Sequence, residues 1–176
     1  MKKSQKLAIL GFMIALSVVL SRFGSVRIAI GGVEGIRVGF GSFPLIFLGI
    51  FLGPIEGAIG GALADIIGYI VSPMGPYMPH FTFTSALRGF VPGITVMLFR
   101  NISFTWRVAI ALIASTIVPE ITLLPYFLYI LFGIPWKVVL VSKLIGSGIQ
   151  FPVYLLLFNI LHKRVPLVRR LEKGMP

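Results

Sequence analysis

The sequence predicts an all-α membrane protein with six transmembrane helices, and two observations predict this class. Of its 176 residues, 57% are hydrophobic and only 12% are charged, about half the charged share of an average soluble domain. The apolar residues also form blocks long enough to cross a bilayer. We therefore expect a single integral membrane domain over residues 1–176.

Six apolar blocks define the predicted spans. The first combines a basic start with an apolar run, but Ser21-Arg22-Phe23 is a poor cleavage context, so we expect a retained helix. The second is short for a hydrocarbon core of about 30 Å. Pro54 is a favoured first helical residue, and Pro119 and Pro125 predict a kink in the fifth span. The predicted spans are 6–23, 40–53, 54–71, 84–100, 107–132 and 137–161.

The basic tails predict the topology. An even number of spans places both tails on one side, and excess lysine and arginine favours the cytoplasmic side. The net charge of +11 therefore indicates contact with lipid headgroups and not with nucleic acid, since no basic face carries interleaved aromatics. The tail cations are Lys2, Lys3, Lys6, Lys163, Arg164, Arg169, Arg170 and Lys173.

Further cations fall on the outer half of this topology, where the positive-inside tendency predicts few. Charge on this side or inside a span is costly and usually serves a function. We therefore expect a mouth that attracts an anionic ligand. These six cations are Arg22, Arg27, Arg37, Arg88, Lys137 and Lys143.

Two long outer loops are predicted to be ordered. In loop 24–39, β-branched runs flank Gly31-Gly32, a pattern typical of a short hairpin. Loop 72–83 holds three prolines, which restrict the backbone. We expect outer loops 1 and 3 to cover a ligand cavity at this end of the bundle.

Polar residues within the spans are candidates for the cavity wall. Asp65 must face the bundle interior, either as a structural hydrogen-bond partner or as an acceptor for ligand N–H groups. Arg88 faces the cavity or pairs with Asp65. Glu120 could neutralise Lys143, and Gln150 is a further buried polar candidate. Around Asp65 runs a stripe of small residues that predicts close helix packing: Gly57, Gly60, Gly61, Ala64 and Gly68.

Small residues also share one face of the first span: Ala8, Gly11 and Ala15. Such spacing lets another helix approach closely. From spacing alone, packing within the protein's own bundle is the favoured interpretation.

Several kinds of chemistry are excluded. The chain has no cysteine, and its two histidines, His80 and His162, are far apart in sequence. Disulfides, thiolate chemistry and a histidine metal site are therefore not expected. No nucleophile with a nearby base, no carboxylate pair and no Walker-type phosphate loop is present. We expect a non-enzymatic protein without a cofactor.

Four stretches resemble the S components of energy-coupling-factor (ECF) transporters, and with the arginine-containing first loop they most resemble the folate-specific S component. The resemblance is specific over residues 7–100, whereas 101–176 match in hydropathy and length. The stretches are FPLIFLG at 43–49, FLGPIEG at 51–57, ALADIIG at 62–68 and PYMPHFTFTSALRG at 76–89.

The resemblance implies a non-catalytic subunit in the plasma membrane of a prokaryote, which binds a vitamin at its outer end. It also implies a transmembrane coupling protein and two cytoplasmic ATPase subunits as partners, with Ala8, Gly11 and Ala15 facing the coupling protein. Alternatives are an S component for another vitamin, such as riboflavin or pantothenate, a small membrane enzyme, and a structural subunit. No reactive constellation supports an enzyme, and a structural subunit needs no outer cations.

For folate, the residues suggest a division of roles. Arg27 and Arg37 could clamp its carboxylates, aromatic residues could stack on its rings, and Asp65 or Gln150 could contact the pterin N–H groups. The predicted substrate-binding residues are Arg27, Arg37, Asp65, Tyr77, His80, Phe81, Thr82, Phe83, Arg88, Lys143 and Gln150.

Overall fold

A computed structural model describes residues 3–23, 25–30, 33–73 and 76–164, with the backbone alone for 25–30, 33–38 and 138. Within these ranges the chain forms six helices and one two-stranded hairpin, so the predicted all-α membrane class and the hairpin are confirmed. Five helices are long and apolar enough to cross a membrane, and α2 is shorter. The elements are α1 (Lys3–Arg22), β1 (Ser25–Ile30), β2 (Val33–Gly39), α2 (Ser42–Leu52), α3 (Pro54–Val71), α4 (Pro79–Leu98), α5 (Phe104–Phe132) and α6 (Trp136–Arg164).

The predicted start of the fourth span is wrong by one and a half turns. Helix α4 begins at Pro79 and not at residue 84, because proline is well suited to the first turn, where its missing N–H is not needed. Phe81, Thr82 and Phe83 therefore lie on the first turns of α4 and not in a loop.

Helix α2 forms the centre of the bundle. Its 11 residues are almost entirely buried, and they span only about 16 Å, roughly half of a bilayer core. Aromatic contacts join it to α6, with ring centroids 4.9 Å apart for Phe43 and Phe158. Strand β2 of the hairpin that precedes α2 also contacts α6.

Helices α3 and α4 approach each other closely through the predicted small-residue stripe. A Cβ atom placed on Gly89 would lie 2.0 Å from the Gly57 carbonyl oxygen, and one placed on Gly61 would lie 2.1 Å from the Ser85 carbonyl oxygen. Backbone atoms at these distances leave no room for a side chain. The predicted close helix contact is therefore confirmed, and it fixes the position of Arg88 on α4.

Helix α5 contains a π-helical segment, Ile117–Leu123, where the sequence predicts a kink. Pro119 lies inside this segment and cannot donate a backbone N–H. In the same segment, the Thr122 hydroxyl donates to the Ile117 carbonyl at 2.9 Å. Single π-helical turns within α-helices often occur at functional sites, and this one carries Glu120.

Helix α1 is held to the bundle by polar contacts at two levels. Lys6 forms an ion pair with Glu56 on α3, and the Ser17 hydroxyl donates to the Gly41 carbonyl at 2.7 Å. At the end of α1, the Arg22 side chain lies against Gly68 near the end of α3. The hairpin that follows α1 and the loop that follows α3 therefore lie at the same end of the bundle.

Candidate ligand cavity

A small cavity lies among α2, α4, α5 and α6. Its wall combines polar and apolar side chains, as ligand cavities usually do. The free interior is about 10 Å³, roughly the space that one water molecule requires. The polar lining residues are Ser42, Arg88, Ser115, Thr116, Glu120, Ser147 and Gln150, and the others are Ile46, Leu112, Phe151 and Tyr154.

Arg88 and Glu120, which both line the cavity, form an ion pair. Arg88 Nε lies 3.2 Å from Glu120 Oε1, and the two side chains are 22% and 13% exposed. The expectation that Arg88 could pair with Asp65 is therefore wrong, because the π-helical segment of α5 presents a nearer carboxylate. Pairing offsets much of the cost of burying two charges.

Hydrogen bonding at this pair is incomplete. Within the described part of the chain, Arg88 Nε and Ser147 Oγ are buried without a hydrogen-bond partner. The Arg88–Glu120 contact is thus an ion pair without hydrogen-bond geometry at Nε. Buried polar atoms normally have partners, so each exception requires an explanation.

The base of the hairpin is hydrogen-bonded to the cavity wall. The Gly39 carbonyl oxygen, at the end of β2, accepts hydrogen bonds from Gln150 Nε2 at 2.9 Å and from the Tyr154 hydroxyl at 3.2 Å. Both donors line the cavity. The hairpin and the cavity wall are therefore directly connected through α6.

Arg27 and Arg37 lie opposite each other in the hairpin. Their Cα atoms are register partners, two residue pairs beyond the Ser25–Gly39 pair at the hairpin base. Two residues correspond to about 7 Å along a strand. The backbone thus brings the two arginine positions together near the hairpin base that bonds to the cavity wall, while their contact with a ligand stays a prediction.

A second group of predicted residues lies around loop 3 and does not line the cavity. The Thr82 hydroxyl donates to Asp65 Oδ2 at 2.7 Å and lies 2.8 Å from the Tyr77 hydroxyl. This geometry matches the structural alternative for Asp65. The ring centroids of His80 and Phe127 are 4.9 Å apart, so the start of α4 packs against α5.

The remaining predicted binding residues lie near these two groups. Phe81 is partly buried and Phe83 is exposed on α4, and Lys143 is partly buried one turn before Ser147 on α6. Among the lining residues given above, the sequence predicted Arg88 and Gln150 as ligand contacts. It assigned no cavity role to Ser147 or Tyr154, although Ser147, Gln150 and Tyr154 have the i, i+3, i+7 spacing of one helix face.

The small-residue face of α1 is exposed. Ala8, Gly11 and Ala15 are all exposed in the described structure, and a Cβ atom on Gly11 would have no neighbour within 4 Å. Packing of this face within the protein's own bundle, the interpretation favoured from spacing alone, is therefore wrong. The face stays a predicted interface.

The fold and the cavity define a multi-pass membrane protein with a small cavity of mixed polarity, whose wall is hydrogen-bonded to the base of a hairpin. Residues 1–166 match the family described as the S component of the ECF-type riboflavin transporter. The chain belongs to this family of ECF S components. The predicted S-component resemblance is thereby confirmed.

Similarity to individual proteins agrees with this assignment. The folate transporter FolT of Clostridium novyi (strain NT) is 31% identical over 172 residues, which are 98% of this chain and 94% of FolT. The crystal structure of FolT bound with folic acid superposes with a TM-score of 0.73 at 28% identity, covering 94% of this chain and 95% of that one. A bacterial ECF S component has the same fold, with a TM-score of 0.71 at 24% identity and coverage of 94% and 99%.

Proposed function

We propose that this protein is the substrate-binding subunit of an ECF-type importer and that its substrate is folate. The observation that carries the proposal is the 31% identity to a folate transporter across 98% of the chain. The similarity to a structure with bound folic acid supports it. Within the chain itself, the polar side chains of the cavity wall and the two opposed arginines of the hairpin suit an aromatic ligand that ends in carboxylates.

The shape of folate suggests one orientation. We place its flat pterin in the cavity after the cavity has opened, where Gln150 and the Arg88–Glu120 pair offer donors and acceptors. Its glutamate then extends toward Arg27 and Arg37, which can form charge-assisted hydrogen bonds with carboxylates. Tyr77, Phe81 and Phe83 are the proposed contacts for the aromatic rings, with His80 and Thr82 supporting loop 3 and Lys143 adding positive charge.

Binding in this site requires the cavity to open. A ligand pocket usually needs about 300 Å³ or more, whereas the free interior is about 10 Å³. The hydrogen bonds from Gln150 and Tyr154 to Gly39 attach the hairpin base to the cavity wall. We propose that folate displaces the hairpin and that the Gln150 amide then donates to folate and no longer to the Gly39 carbonyl.

The transport role follows from the family. We propose that a transmembrane coupling protein binds the exposed face at Ala8, Gly11 and Ala15, and that two ATPase subunits hydrolyse ATP while this subunit is non-catalytic.

Both termini then lie in the cytoplasm of a prokaryote and the hairpin lies outside. Because the chain has no cysteine, Ser4→Cys tests this topology: labelling by an impermeant maleimide should require permeabilised cells, and labelling of intact cells contradicts it.

Riboflavin is the second candidate substrate, favoured by the description of the matching family. Titration of the purified protein with folic acid, riboflavin and pantothenate by calorimetry separates the candidates. We expect saturable 1:1 binding of folic acid, and an ultraviolet spectrum typical of a pterin for any ligand that co-purifies. Tight riboflavin binding with no folic acid binding would assign the second function.

A further inference from the structure

Glu120 is the acidic residue in the cavity wall. Its side chain is 13% exposed, and it lies within the π-helical segment Ile117–Leu123. Two other acidic residues of the described chain are engaged elsewhere, since Glu56 pairs with Lys6 and Asp65 accepts from Thr82. Among the acidic side chains that the structure describes, the one that lines the cavity is that of Glu120.

The contacts of Glu120 within the protein leave it suited to a ligand. Arg88 approaches Oε1 at 3.2 Å, but Arg88 Nε has no hydrogen-bond partner within the described part of the chain, and neither has the nearby Ser147 Oγ. A carboxylate can accept about four hydrogen bonds. A partly satisfied polar cluster in a buried wall is costly, and a ligand with matching donors and acceptors would relieve this cost.

We propose that Glu120 recognises a heterocycle that carries a ring N–H beside an exocyclic amino group, and that it thereby selects pterins. This inference rests on the proposed folate-binding function. The two oxygens of a carboxylate match two parallel N–H donors, as in arginine–carboxylate pairs, and the N3–H and 2-amino groups of a pterin form such a pair. Arg88 stabilises the negative charge, and Arg88 and Ser147 supply donors for the ring carbonyl.

The same carboxylate disfavours a flavin. The corresponding edge of an isoalloxazine ring carries N3–H between two carbonyl groups, so one oxygen of Glu120 would face another acceptor. A buried acceptor left without a donor costs free energy, and such a mismatch is an effective basis for specificity. Glu120 is thus a specificity-determining residue in a family whose description names riboflavin.

The test compares folic acid with 2-desamino-2-methylfolic acid, which replaces the 2-amino group with a methyl group. In the unaltered protein, the analogue should bind about 10- to 100-fold more weakly, the range expected for a hydrogen bond to a charged group. Glu120→Gln should weaken folic acid binding and bring the ratio of the two affinities toward one. Glu56→Gln is the matched control, because Glu56 forms a similar ion pair outside the cavity, and it should leave both affinities unchanged.

The outcomes separate this inference from the proposed function. Tight folic acid binding with equal affinity for the analogue overturns the role of Glu120 alone, and so does an unchanged ratio in Glu120→Gln. Binding of riboflavin in place of folic acid overturns both proposals. Should Glu120→Gln not fold, Glu120→Asp replaces it. Asp keeps the negative charge opposite Arg88, but its shorter side chain moves the carboxylate away from the ligand. The ratio of the two affinities should therefore again approach one.

Discussion

Arg88 illustrates what can be predicted for a single residue and what cannot. A charged residue within a span must be paired or face a polar cavity, and both conditions hold, since Arg88 lies 3.2 Å from Glu120 in the cavity wall. The choice of Glu120 over Asp65 depends on the π-helical segment of α5, which sequence spacing does not specify. Gln150 was similarly predicted to be buried and polar. Its partner was not predictable, because its hydrogen bond to Gly39 joins residues 111 positions apart.

The first prediction for individual residues concerns the Arg88–Glu120 ion pair. Arg88→Met should destabilise the protein by about 3–5 kcal/mol, because it leaves the largely buried carboxylate of Glu120 unpaired. The double variant Arg88→Met/Glu120→Leu should regain most of this stability but should not bind folic acid. Thermal unfolding in detergent, with calorimetric titration, measures both effects. A double variant as unstable as the single one would show that the pair itself is not the cause.

The second prediction concerns Arg27 and Arg37, the two arginines of the hairpin. Arg27→Ala should weaken folic acid binding by about 2–5 kcal/mol if its guanidinium pairs with a desolvated carboxylate. Arg100→Ala is the matched control, because Arg100 is exposed in the connection between α4 and α5, and it should bind folic acid normally. Equal affinity in the two variants would remove Arg27 from the site.

Among the elements, those with a strong local signal were predicted best. The hairpin and the short, apolar α2 follow from β-branched runs around a Gly-Gly turn and from block length, and both are present. The start of α4 was missed because the prolines of 72–83 suggested a loop, whereas Pro79 begins the helix. The prolines of α5 predicted a distortion, but its π-helical form depends on tertiary packing.

The third prediction concerns the contact between α3 and α4. Gly89→Ala should destabilise the protein by about 1–3 kcal/mol or more, because its Cβ atom would lie 2.0 Å from the Gly57 carbonyl oxygen. Gly148→Ala in α6 is the control. A Cβ atom there has no neighbour within 4 Å, so this change should be neutral or stabilise by about 0.5–1 kcal/mol through helix propensity. Thermal unfolding of both variants tests the close approach, and equal melting temperatures would contradict it.

For the whole molecule, composition was sufficient for the class, because a chain in lipid must satisfy its backbone within helices or closed barrels. Helix adjacency was not predictable from hydropathy, since it depends on which faces fit together. The cavity therefore emerged only with the structure, formed by four helices from distant parts of the sequence. Spacing alone likewise did not show that the small-residue face of α1 is open, whereas the resemblance to S components implied it, and the structure leaves this face exposed.

The fourth prediction concerns that open face. Gly11→Leu should impair folate uptake by cells while the purified protein retains its affinity for folic acid, because a bulky side chain would block helix approach without touching the cavity. Gly148→Leu is the control for a bulky change on an exposed surface of another helix, and it should support uptake. Loss of both uptake and binding in Gly11→Leu would indicate a folding defect and contradict the docking role.

The most direct test of the account is an experimental structure of the protein with bound folic acid. We expect the pterin in the cavity among α2, α4, α5 and α6, within hydrogen-bond distance of Glu120 and Gln150. The glutamate carboxylates should lie beside Arg27 and Arg37. Folic acid bound anywhere else, or a closed cavity with both arginines directed toward lipid headgroups, would contradict the account.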